Sequence, residues 1–181
     1  SQSSAVRLTT PPPSWMASWS AAEAAARSAI ERVTTAHTEA TEPGVAIDLA
    51  TMLSDGGLLV VSSSMPVRDL EWYAPARDGL EVLANRGANG IDGVVSTAVG
   101  AALGGAPTAL LTGDVAFLHD CNGLLGLIRR SVNLVIVVVD NDGGGICSFL
   151  PQRGFLDAER FEKLCGTPHG VDLEALARAH A

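Results

Sequence analysis

The segment from Thr112 to Gly145, TGDVAFLHDCNGLLGLIRRSVNLVIVVVDNDGGG, decides how the chain reads. A short apolar strand, Ala109-Leu110-Leu111, runs into Gly113-Asp114. Apolar residues then recur at Phe117, Leu118, Cys121, Leu124, Leu125 and Ile128, the spacing of one helix face. Leu134 to Val139 is an unbroken apolar run, as expected of a parallel strand buried on both faces. It stops at Asp140-Asn141-Asp142 and three glycines. The unit predicts β-α-β, with carboxylates, an amide and bare backbone at the carboxyl ends of both strands. Open parallel sheets bind ligands at that edge.

The chemistry this predicts is a diphosphate held through a divalent ion. Asp114 and Asn141 offer hard oxygens, which suit Mg²⁺. A helix starting near Val115 turns free N–H groups and a positive dipole end toward phosphate. Gly113 and Gly143 to Gly145 let a ligand approach the backbone. Without further context the same pattern equally describes a plain β-α-β unit with an Asp N-cap and a glycine-rich turn.

Outward from that unit, two more strands are expected, near Leu58–Val61 and Glu81–Ala84, besides the unit's own first strand from Thr108. Each ends in polar or glycine-rich residues: Ser62 to Arg68 as a loop, then Asn85-Arg86-Gly87, then Gly113-Asp114. Four such coincidences, counting the run after Val139, favour one ligand-binding edge over unrelated loops. The fold class is therefore α/β, a doubly wound and mostly parallel sheet. Residues 1–40 read as a linker, Ser1 to Ser14 with Pro11-Pro12-Pro13, and an Ala-rich surface helix from Trp15 to about His37. Residues 41–181 read as the domain. It opens on a helix with Thr41 as N-cap and closes on a helix from Val171. Ile91 to Leu103 is a Gly/Ala-rich helix suited to close packing on the sheet.

The chain has 181 residues, 47 % apolar and 18 % charged, enough for one domain with a substantial core. A net charge of −8 argues against a nucleic-acid surface. Cys121, Cys147 and Cys165 lack C-x-x-C spacing and read as reduced thiols. No apolar run approaches the roughly 20 residues of a membrane helix, and the first residues carry no signal peptide. A cytoplasmic location is expected, or a plastid or other organelle if the source is a photosynthetic eukaryote.

Gly113-Asp114 through Asn141 and its glycines resembles the thiamine diphosphate fingerprint GDG…NN, with Val115 where the third residue is usually Gly. More specific strings are Ser63-Ser64-Met65-Pro66-Val67-Arg68-Asp69, Ala84 to Gly93, Phe117 to Asp120 with Asn122-Gly123-Leu124, Phe149-Leu150-Pro151, and Phe161-Glu162-Lys163 through Gly166-Thr167-Pro168-His169-Gly170. Together these resemble the MenD family, the 2-succinyl-5-enolpyruvyl-6-hydroxy-3-cyclohexene-1-carboxylate synthases. The resemblance runs from about Thr41 to the end. It implies a diphosphate-binding domain of an enzyme that decarboxylates 2-oxoglutarate and joins the product to isochorismate, in menaquinone or phylloquinone biosynthesis. The rivals are another thiamine diphosphate enzyme, of acetolactate synthase or 2-oxoacid decarboxylase type, and a non-catalytic cofactor-binding module.

The resemblance also implies roles. Asp114 and Asn141 would bind Mg²⁺ (or Mn²⁺) by side chain, with the Gly143 carbonyl as third ligand. Gly113, Val115, Ala116, Gly144 and Ile146 would line the cofactor site. Ile91 would prop the bent cofactor, or simply pack the core, and Ala88 to Gly90 would offer backbone to the pyrimidine. Arg68 and Arg86 would grip substrate carboxylates, against the alternative of ion pairs with Asp69 or Asp92. Ser64, Phe149 and Leu150 would line the substrate pocket, or cap a loop and face a short helix. Asp140 and Asp142 are expected to face solvent and His119 to be a surface or satisfied histidine. Ala116, where a hydroxyl is usual, and Cys147, where Phe is common, depart from the family. No catalytic residue is assigned. The activating glutamate is expected on a pyrimidine-binding domain, in cis or on a partner subunit, in a homo-oligomer when full length. This chain then reads as stopping inside a longer sequence.

Overall fold

The structure is a computed structural model that describes residues 11–87 and 90–180. It divides into two units, Ser1–Glu39 and Ala40–Ala181. In the first, helix α1 runs from Pro13 to Ala36. Pro13 and Ser14 thus belong to the helix and not to a linker. Proline suits the first helical position, where its missing N–H has no intrahelical partner in any case. Trp15 and Trp19, one turn apart, meet at a tilt with ring centroids 5.8 Å apart.

The second unit runs α2 (Glu42–Met52), β1 (Gly57–Val61), α3 (Met65–Tyr73), β2 (Leu80–Leu83), α4 (Val94–Leu103), β3 (Thr108–Gly113), α5 (Asp114–His119), β4 (Leu134–Val139), two four-residue helices α6 (Gln152–Phe155) and α7 (Ala158–Phe161), and α8 (Leu173–Ala179). The strand order is β2-β1-β3-β4, and every pairing is parallel. Thr41 caps α2 as expected, its hydroxyl accepting from the Gly44 amide at 3.2 Å.

The sheet is covered on both faces, so the fold is doubly wound. Leu59, Val61, Ala109 and Leu111 point to one face, where Ala46, Leu49, Val67 and Leu70 of α2 and α3 pack. Val60 and Leu110 alternate to the other face, against Val94, Val95 and Ala98 of α4 and Phe117 of α5. Leu59, Val60 and Leu110 are wholly buried, each side chain contributing about 1.5–3 kcal/mol through burial. Two central strands held this firmly fix the positions of the loops at their carboxyl ends.

Two local expectations change. The helix after Gly113 does not continue to Ile128; α5 ends at His119, and short 3-10 turns follow at Cys121–Leu124 and Leu127–Arg129. Asp120 turns away to accept from the Ser96 amide at 2.6 Å and its hydroxyl at 3.0 Å. Gly126 takes a positive φ of 77° that closes the run. Leu125 and Ile128 are exposed as a result. Strand β4, expected to be buried on both faces, is the edge of the described sheet, with Val135 exposed and its other residues half-buried.

Candidate cofactor and metal site

The carboxyl ends of β1, β3 and β4 deliver Ser62–Ser64, Gly113–Asp114 and Asp140–Gly145 to one side of the sheet. A cavity of about 200 Å³ opens between them. Gly113, Asp114, Val115 and Ala116 form one wall. Asn141, Gly143, Gly144 and Ile146 line the cavity as well, together with Ile91, Ser64, Glu42 and Thr167. Nine of the eleven residues expected at a cofactor thus share one hollow. Gly90 packs instead behind Ser63, and a Cβ there would lie 3.1 Å from the Ser63 hydroxyl. Ala88 lies outside the described residues.

Asp114 is 2 % exposed at the head of α5. One carboxylate oxygen accepts from the Val115 amide at 2.7 Å, and the other from the Gly143 amide at 2.7 Å. That second oxygen also lies 3.1 Å from His169 Nε2. The Val171 amide donates to His169 Nδ1 at 3.0 Å, so the ring proton sits on Nε2 and points at Asp114. Asn141 is held by Glu42, whose Oε1 accepts from Asn141 Nδ2 at 2.9 Å. Asp140 and Asp142, half exposed, build the loop. Asp140 accepts from the Asp142 amide at 3.0 Å, and Asp142 from the amides of His169 and Gly170 at 3.0 and 2.8 Å.

The donor set fits a hard divalent ion beside phosphate. A buried carboxylate and an amide face a common hollow, and a Cβ built on Gly113 meets nothing within 4 Å, leaving open room for a ligand. Ligand atoms of Asp114, Asp140 and His169 also lie within 4.8 Å of one another. A turn of π-helix, Glu162–Gly166, backs the glycine loop, where the Gly166 carbonyl accepts from the Gly144 amide at 2.6 Å.

A second cavity of about 390 Å³ adjoins the first, sharing Ser63, Ser64 and Ile146. Arg68 and Arg86 face it together with Glu71 and Trp72. Arg68 sits on α3 rather than in a loop and donates to the Ser64 carbonyl at 2.6 Å. Neither arginine forms an ion pair among the described residues. Asp92 instead pairs with His119 at 2.7 Å, which satisfies that histidine. Ser64 has φ 78°, a strained conformation for a residue other than glycine and one that concentrates at ligand sites. Phe149 and Leu150 line neither cavity and are 73 % and 43 % exposed.

Asp69, buried on α3, has its carboxyl pushed up to about 6, first by burial and then by the charge of Glu42. Its folded value lies above the unfolded one. Its contribution to stability is therefore full below about pH 4 and lost as pH rises through about 6. Thermal melts of Asp69→Asn are expected to lose this part of the decline between pH 4 and 7. A decline as steep as the wild type's would contradict the assignment.

Sequence reasoning missed Glu42 and His169 as members of the site. His169 stood in a quoted string and Glu42 beside a helix cap, but their partners lie 55 and 99 residues away, and no local spacing encodes such contacts.

The model of the thiamine pyrophosphate enzyme C-terminal TPP binding domain matches residues 69–181. The 2-succinyl-5-enolpyruvyl-6-hydroxy-3-cyclohexene-1-carboxylate synthase of Chloroflexus aurantiacus is 45 % identical over 171 residues, 93 % of this chain and 29 % of the relative. That of Myxococcus xanthus is 49 % identical over 166 residues, 90 % of this chain and 28 % of the relative. This chain therefore spans less than a third of the length of these relatives. Among solved structures, benzoylformate decarboxylase from Polynucleobacter necessarius shares the fold, with a TM-score of 0.56 at 18 % identity over 81 % of this chain and 28 % of that one. The parallel sheet, the aspartate and asparagine at its carboxyl edge and the match over more than half the residues agree, and the chain belongs to the C-terminal TPP-binding domain family of thiamine pyrophosphate enzymes.

Proposed function

We propose that this chain is the diphosphate-anchoring part of a 2-succinyl-5-enolpyruvyl-6-hydroxy-3-cyclohexene-1-carboxylate synthase of menaquinone biosynthesis. The observation that carries the reading is the convergence of Asp114, Asn141 and Gly143 with Ile91 on one cavity, in a chain 45–49 % identical to synthases of that name. Asp114 and Asn141 would hold Mg²⁺ or Mn²⁺ by side chain and Gly143 by its carbonyl. Gly113, Val115, Ala116 and Gly144 would border the diphosphate, and Ile146 and Ile91 the rings. Thiamine diphosphate, when bound, supplies the electron sink for decarboxylation.

The chain's own residues do the rest. Gly113 leaves room at the wall, while the Val115 amide is taken by the Asp114 carboxylate. Ala116 brings no hydroxyl, so backbone donors carry that side of the site. Arg68 and Arg86, both lining the adjoining cavity, match the carboxylates of 2-oxoglutarate and isochorismate. The Arg68–Ser64 hydrogen bond aims the first guanidinium. The glutamate that activates the cofactor would come from a pyrimidine-binding domain, in cis or from a partner subunit.

The test is CO₂ release from 2-oxoglutarate in the presence of isochorismate, thiamine diphosphate and Mg²⁺. This chain would be assayed alone and with a separately supplied pyrimidine-binding half. Activity only in the mixture is expected; silence in the mixture, with the supplied half shown competent, would overturn the reading. In the active mixture, Arg68→Ala is expected to lower kcat/KM for 2-oxoglutarate or isochorismate by about 10- to 100-fold, the loss of one charge-assisted pair. An unchanged kcat/KM for both would remove Arg68 from the substrate site.

A further inference from the structure

The two side chains proposed to take the ion differ in one respect. Either carboxylate oxygen of Asp114 is an acceptor, so a flipped Asp114 still presents oxygen. The amide of Asn141 is not symmetric, and only one of its two orientations turns Oδ1 rather than N–H₂ toward an ion. Something must select that orientation.

Glu42 is placed to do so. It is the first residue of α2, a position fixed by the Thr41 cap. Its Oε1 accepts from Asn141 Nδ2 at 2.9 Å. An ionised carboxylate only accepts, so it engages the nitrogen end of the amide and leaves the oxygen end for the cavity. Gly145 leaves room for the amide in this place, because a Cβ there would collide with the Asn141 side chain. Glu42 lies outside residues 69–181, so the general family match does not include it. It sits at the Asn141 end of the cavity.

We propose that Glu42 is the positioning residue for Asn141, locking the amide so that its oxygen is the atom offered to the divalent ion. This rests on the reading of Asp114 and Asn141 as ion ligands. Outer partners of this kind are worth about 10- to 100-fold in metal affinity.

The test is Mn²⁺ affinity of this chain with thiamine diphosphate present, read from the electron paramagnetic resonance signal of free Mn²⁺. Four proteins are compared: wild type, Glu42→Gln, Glu42→Asp and Asp114→Ala. Gln keeps the length and an accepting oxygen without the charge; Asp keeps the charge and withdraws the oxygen by one methylene. Positioning predicts Glu42→Asp weaker by about 10-fold or more, and Glu42→Gln weakened as well, because an amide that donates as well as accepts no longer dictates which end of Asn141 it meets. Loss in Glu42→Gln with Glu42→Asp as tight as wild type would show that Glu42 acts by charge alone and would overturn the proposal. Equal affinity in both variants and wild type would also overturn it. If Asp114→Ala too binds as wild type does, the ion site itself fails, a result distinct from failure of Glu42 alone.

Discussion

Asp114→Ala abolishes Mg²⁺-dependent binding of thiamine diphosphate, by the geometry of the site, with a loss of at least about 100-fold, since a ligand should cost no less than the partners behind it. Three donors converge on this carboxylate: the Val115 and Gly143 amides and His169 Nε2. The substitution removes the proposed ion ligand and leaves those donors without their acceptor, loosening the β4 loop together with the ion site. Asp114→Asn should be nearly as damaging. Two different oxygens each accept a backbone N–H, and an amide turns a donor toward one of them. Calorimetric titration with thiamine diphosphate, with Mg²⁺ and with chelator, measures the effect. Undiminished affinity in Asp114→Ala would refute the site assignment.

Gly143→Ala is expected to cost about 3 kcal/mol or more of folding stability and to weaken cofactor binding with it. Gly143 has φ 136°, which side chains rarely adopt. Its added Cβ would run into the Gly166 carbonyl and lie 3.1 Å from that of Thr167. Both are backbone atoms of the π-turn segment, so no rotamer change relieves the overlap. The Gly143 amide would move off Asp114 at the same time. Denaturant unfolding reads the first effect and calorimetry the second. A variant as stable as wild type would show that the loop and the π-turn are not packed as described.

The fold was legible because its central strands are unambiguous. Leu58 to Val61 and Ala109 to Leu111 carry apolar residues on both faces, and both are buried between helical layers. The edge was also legible, because Asp114, Asn141 and the glycines follow strand ends directly. The course between them was not. The helical spacing from Phe117 to Ile128 is real in sequence, yet Asp120 finds a better partner in the Ser96 amide of α4. A long-range hydrogen bond overrides a local period there. Strand β4 misled for a different reason, since a run of six apolar residues reads alike at the centre and at the edge of a sheet. Arg68 was expected in a loop after β1, whereas α3 begins at Met65 and Pro66 is at home in its first turn. Glu42 and His169 illustrate the remaining limit. Their types and helix positions are ordinary, and only the folded chain brings them to Asn141 and Asp114.

The most direct test of the cofactor site is anomalous diffraction from crystals grown with Mn²⁺ and thiamine diphosphate. The geometry predicts a single Mn²⁺ peak bonded to the Asp114 carboxylate, the Asn141 Oδ1 and the Gly143 carbonyl, with the diphosphate completing its shell. A peak held instead by His169 and Asp140, or a diphosphate bound away from the Gly113–Ala116 wall, would contradict it.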